Sequence, residues 1–147
     1  MKFKLYLAVG GENFDAERFR QSANIGGSTV KQIGQRGQEI DPSRFRKWNV
    51  WESPRIAGSN DPGDDILKLI TDNAAAVSLL RVGKSEDSVC WVGIVCYYLE
   101  DETPRGFSFD SNTIKMLAEI RASIEIDAVY DTEEIQKYQR RSVRGEQ

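Results

Sequence analysis

The run from Ser88 to Leu99 constrains this 147-residue chain more than any other stretch. Val89-Cys90-Trp91-Val92 and Ile94-Val95-Cys96-Tyr97-Tyr98-Leu99, joined by Gly93, leave no polar face. A strand that is apolar on both sides has to be covered on both sides, which predicts a central place in a sheet. Cys90 and Cys96 fall at even spacing on one face of it, roughly 20 Å apart at about 3.3 Å per residue. That is well beyond disulfide reach, so both thiols are expected as small core hydrophobes in a reducing, cytoplasmic setting.

The other elements are read around that strand. Lys2 to Val9 alternates, with Phe3, Leu5, Leu7 and Val9 on one face and Lys2, Lys4, Tyr6 and Ala8 on the other, the signature of a half-buried strand. Asp15 then caps a short helix, with Phe14 before the cap packing on Phe19, and Ile25-Gly26-Gly27 ends it. Strands follow at Ser28 to Ile33 and Phe45 to Ser53, then a loop from Pro54 to Asn60. At Asp61-Pro62-Gly63-Asp64-Asp65 a capping aspartate, a first-turn proline and two first-turn acids mark the start of one long helix ending near Gly83. Asp110 or Ser111 caps a further helix through Leu117, and Ile124, Ile126 and Ala128 alternate in a last strand ending at Tyr130.

Asn13-Phe14-Asp15-Ala16 and Ser108-Phe109-Asp110-Ser111 each stand between a strand and a helix, so the chain reads as two β-α-β units facing one another. The fold class expected is α+β: a mixed, mostly antiparallel sheet with helices packed on one face, of ferredoxin-like character. Residues 1–130 form a single domain in this reading, and 131–147 a polar tail, either a loose helix or disordered.

Composition enters through a zero: the chain has no histidine. This excludes Ser-His and Cys-His nucleophile pairs, His-ligated zinc and any side chain that titrates unperturbed near neutral pH. Net charge is −3 and divided: residues 1–60 carry ten Lys/Arg against six Asp/Glu, leaving ten against seventeen of the totals of 20 and 23 for 61–147. The halves are therefore +4 and −7. No apolar stretch approaches the ~20 residues of a membrane helix.

Several motifs resolve into ordinary structural roles. Gly83-Lys84-Ser85 lacks the leading glycine a phosphate loop needs, and it precedes a strand rather than a helix. Asp61, Asp64 and Asp65 are explained by the helix start, so no metal or other cofactor is expected. Asp127 has no such explanation; lying beside Ile126 inside the last strand, it is expected as a buried acceptor or a site residue. Arg44-Phe45-Arg46-Lys47-Trp48-Asn49-Val50-Trp51 interleaves cations with aromatics. A sequence pI near 5.1 argues against nucleic acid, whereas Trp and Arg are the residues that most often anchor protein interfaces.

Three stretches also carry a family likeness. They are Gly11-Glu12-Asn13-Phe14-Asp15; Lys31-Gln32-Ile33-Gly34-Gln35-Arg36-Gly37 with Lys47-Trp48-Asn49-Val50-Trp51-Glu52-Ser53; and Gly106-Phe107-Ser108-Phe109-Asp110 through Leu117-Ala118-Glu119-Ile120 to Ile124-Glu125-Ile126-Asp127-Ala128-Val129-Tyr130. Together they make the chain resemble the small bacterial domain family DUF4279 over residues 3–130. It departs in a longer loop at 54–62 and in Arg121-Ala122 before the last strand. The resemblance implies a shared α+β fold and no assigned catalytic residues; by analogy, some members serve as immunity partners of secreted toxins.

The function expected is accordingly a non-enzymatic protein-binding module, an immunity-type protein that occludes a toxin through Arg44, Arg46, Trp51 and the acidic loop 100–102. Neither nucleic acid nor membrane is an expected partner. The alternative is a small-molecule sensor or enzyme with a pocket at Trp48, Tyr97 and Asp127. A third reading is a homodimer or larger homo-oligomer built by pairing edge strands.

Overall fold

The structure, a computed structural model, describes residues 2–33, 48–59, 61–82, 88–99 and 106–131. Arg44 and Arg46, the acidic loop 100–102 and the tail from 132 onward lie outside the described residues. In chain order the elements are β1 (Lys2–Gly11), α1 (Ala16–Ala23), β2 (Thr29–Ile33), β3 (Trp48–Glu52), β4 (Ile56–Ala57), α2 (Pro62–Asp72), α3 (Ala74–Val82), β5 (Val89–Leu99), α4 (Ser111–Glu119) and β6 (Ala122–Asp131). The class is α+β. The strands form one mixed sheet in the order β2-β3-β1-β5-β6, with β4 also on β1.

β5 lies inside the sheet, antiparallel to β1 and parallel to β6, as its two apolar faces require. β1 and β2 are both antiparallel to β3, so they run the same way with β3 between them. The first β-α-β unit is thus split by an inserted strand, whereas the second, β5-α4-β6, joins adjacent strands.

β3 pairs with the second half of β1 and β4 with its first half, on the side of β1 that β5 leaves free. Ser53 bridges the gap between them. Its amide donates to the Leu7 carbonyl at 2.8 Å, and its Oγ accepts from the Leu7 amide at 2.9 Å. Both backbone groups of Leu7 are thereby satisfied where the ladder is interrupted.

Side-chain parity divides the sheet into two faces. Phe3, Leu5, Leu7 and Val9 of β1, Trp51 of β3 and Cys90, Val92, Ile94 and Cys96 of β5 join Ile66, Leu69, Val77, Leu80 and Leu117 of the helices in the main core. Both cysteines are buried there as thiols, and burial pushes the Cys96 thiol pKa up. The opposite face carries a second cluster, made from strands alone.

The helix starts follow the sequence signals. Asp15 accepts from the Arg18 amide at 3.0 Å, Asp61 from Gly63 at 2.8 Å and Asp110 from Thr113 at 2.8 Å, satisfying N–H groups that have no partner within the helix. Phe14 and Phe19 pack at 5.6 Å, as the staple predicts. The single long helix expected from Asp61 to Gly83 is instead two. Asn73 stands at the break with a non-helical backbone, φ −109° and ψ 30°, and its side-chain Nδ2 donates to the Leu69 carbonyl at 2.8 Å alongside its own backbone N–H. β4 was not expected either; the loop at 54–60 contains these two strand residues.

Candidate binding face of the sheet

Alternation places Lys31 of β2, Trp48, Val50 and Glu52 of β3, Tyr6 and Ala8 of β1, Trp91, Gly93, Val95 and Tyr97 of β5, and Asp127 and Val129 of β6 on the face to which no described helix contributes. Tyr6, Ala8, Val50, Trp91 and Val95 are buried, and Trp48, Tyr97 and Val129 pack against them half-buried. The result is an aromatic stripe running diagonally across three strands, β3, β1 and β5. Trp48 and Trp91 meet at one end with ring centroids 6.2 Å apart.

At the middle of the stripe, side chains are stacked in layers. Tyr6 stands opposite Gly93, and its ring occupies the space a β-carbon at 93 would need. The Arg55 guanidinium lies over the same ring, 4.8 Å from its centroid, a cation–π contact. Arg55 in turn pairs with Glu52 at 3.2 Å, and Glu52 with Lys31 Nζ at 2.6 Å. Glu52 is almost wholly buried, while both cations are partly in water. Burial pushes the Tyr6 hydroxyl pKa up; the Trp91 side chain opposes this and the Glu52 charge adds to it. Trp91 is only 5% exposed.

The residues singled out from the sequence separate on this frame. Trp48 lies on the face, half-buried. Trp51, expected at a binding surface, is instead a fully buried core residue on the helix side, edge-on to Phe19 at 5.0 Å. Tyr97 lies at the far end of the stripe. Asp127, expected as a buried acceptor or a site residue, is exposed: it lies on the helix-free face of β6, the end strand of the sheet.

One pocket shared by Trp48 and Asp127 does not form. Trp48 stands one residue beyond the Gly11–Asn49 pair, and Asp127 is level with Lys4 through Val95. At strand dimensions the two are about 27 Å apart along the strands and about 14 Å across them. The sequence reading also missed Tyr6, Glu52, Arg55 and Trp91. A signal was available for Tyr6: the polar face of β1 carries one large aromatic, and the long apolar strand carries one glycine.

Among the described residues, no three His, Cys, Asp or Glu side chains gather as a metal site, and no helix is long and apolar enough to cross a membrane. What the fold and this face define is a small α+β protein with a helix-covered core on one side of the sheet and an aromatic, charge-rimmed face on the other. The chain matches the family described as Domain of unknown function (DUF4279) over residues 1–131, and it belongs to that family. None of the curated proteins compared is similar enough to count as a relative.

Proposed function

We propose that this protein is a non-enzymatic binding module whose partner is another protein, and that the contact surface is the aromatic face of the sheet. The observation that carries the reading is the stripe Trp48–Trp91–Tyr6–Tyr97 with Arg55 laid over it, on the side without a described helix. Tyr, Trp and Arg combine large contact area with polar atoms at their tips, and such residues dominate the energetics of protein interfaces. The half-buried Trp48 and Tyr97 are the anchors. Lys31, Glu52 and Arg55 supply a charged rim that sets partner choice and orientation.

An immunity-type role, occluding a toxin in the cytoplasm, is the most concrete form of this proposal. The chain's lack of histidine and its two buried thiols suit it. Affinity purification of the tagged protein at native expression tests the reading. One partner protein should be recovered in stoichiometric amount and lost with Trp48→Ala or Tyr97→Ala. Recovery of the protein alone, or retention of the partner by both variants, overturns it.

A further inference from the structure

β6 ends the sheet, and no described residue pairs with its outer edge. Sheet edges of this kind present a row of unpaired backbone donors and acceptors, and proteins ordinarily blunt them with a bulge, a proline, charged side chains or a covering element. Of these, β6 has only acidic side chains among the described residues. Its pairing with β5 runs without interruption from Cys90↔Ala122 to Leu99↔Asp131, so no bulge turns the edge away. Its sequence, ASIEIDAVYD, holds neither proline nor lysine. Ser123, Glu125, Ile126, Asp127 and Ala128 are all exposed, with Ile126 at 49%.

The charges on this edge are of one sign. Glu125 and Asp127 project from the face opposite Ile124, Ile126 and Ala128. Self-pairing is disfavoured by that arrangement. Antiparallel registers centred on residue 125, 126 or 127 set Glu125 against Glu125, Glu125 against Asp127, or Asp127 against Asp127 of the second copy. Like charges directly opposite each other destabilise a strand pair.

We propose that the outer edge of β6 is a docking site for an extended segment of another protein, added antiparallel as a further strand. That segment alternates apolar and basic residues: two Lys or Arg, two positions apart, stand opposite Glu125 and Asp127, while the intervening apolar residues cover Ile124, Ile126 and Ala128. Main-chain hydrogen bonds hold the strand, and the paired acids select it. This goes beyond the aromatic-face reading, because Trp48 lies three strands away from β6.

The test titrates the full chain with a synthetic nine-residue peptide of alternating valine and lysine, and with the same peptide carrying glutamate for lysine. Binding is followed by nuclear magnetic resonance shifts and amide exchange. The lysine peptide should shift and protect amides of β6, bind at least tenfold more tightly than the glutamate peptide, and weaken as salt rises. Glu125→Lys with Asp127→Lys should reverse the preference, and because both side chains are exposed an unchanged melting curve confirms that the variant folds. Trp48→Ala should leave capture unchanged, so failure here is distinguishable from failure of the aromatic-face reading. Equal binding of both peptides, no binding, shifts confined to the aromatic face, or a concentration-dependent dimer through β6 would each overturn the proposal.

Discussion

The ring of Tyr6 lies on Gly93, the residue directly opposite it in the β1–β5 ladder, and fills the space where any other residue would carry a β-carbon. A glycine inside a strand ordinarily weakens it, through backbone entropy and a missing side chain. Here the neighbouring strand supplies the missing side chain, and the glycine makes room for the phenol that carries Arg55 over its ring.

Gly93→Ala should therefore displace Tyr6 and disturb the Arg55 contact above it. Overpacking of this kind costs about 1–3 kcal/mol. Urea denaturation of Gly93→Ala, Tyr6→Ala and the double variant measures the coupling. The two losses should be markedly less than additive, since alanine at 93 meets no ring once Tyr6 is truncated. Additive losses would show that the two residues do not share this space.

Glu52 pairs with Lys31 and Arg55, and burial is unequal across the group: the carboxylate is enclosed while both cations reach water. Removing the carboxylate frees two cations that solvent can take up, so Glu52→Gln should cost about 1 kcal/mol, in the range of an ordinary hydrogen-bonded contact. Removing both cations strands a buried negative charge, and Lys31→Met with Arg55→Met should cost about 3 kcal/mol or more. Thermal or denaturant melts at low and high salt read the order of the losses. A larger loss for Glu52→Gln than for the double cation variant contradicts the account.

Tyr6 makes stability sensitive to alkali. Its hydroxyl pKa is raised by burial above the ordinary 10.0. Below that value the phenol is protonated in both folded and unfolded chains, and its contribution is present in full. As pH rises further the unfolded chain releases the proton first, so stability is lost until the raised folded value is passed. Titration of tyrosine absorbance in the native protein should show a late component, reduced in Tyr6→Phe. The same variant should flatten the alkaline fall in melting temperature.

Much of the fold was legible because its signals are local. Asp15, Asp61 and Asp110 announce their helices by capping chemistry within three residues, and the alternation from Lys2 to Val9 fixes which side chains of β1 share a face. The two-sided apolar run of β5 even identified an interior strand. What could not be read depends on neighbours distant in sequence. Period-two spacing put Trp48 and Trp51 on opposite faces, but only the packing of α1 decides that Trp51 faces the helices. Asp127 looked buried because its neighbours are apolar, and its exposure follows from the place of β6 at the sheet's end. The break at Asn73 is a change of backbone conformation at one residue, capped by its own side-chain amide on the Leu69 carbonyl, which helical periodicity does not register.

The opposed tryptophans of β3 give the sharpest separation of stability from binding. Trp51 is fully buried against Phe19 and has no partner for its Nε1. Trp51→Ala should cost about 3–5 kcal/mol, as large-to-small changes of aromatic core residues do. Trp51→Phe should cost far less, since it deletes a donor that already lacks an acceptor. Trp48, half-buried at the end of the aromatic stripe, should lose about 1–2 kcal/mol on truncation, in proportion to the smaller apolar area it buries. Its signature is optical: of the three tryptophans, Trp48 should account for most of the fluorescence quenched by acrylamide, because Trp51 and Trp91 are enclosed. Trp48→Phe should remove that quenchable component while leaving the denaturation midpoint nearly unchanged. Quenching that persists in Trp48→Phe would place the accessible indole elsewhere and remove Trp48 as an anchor of the aromatic face.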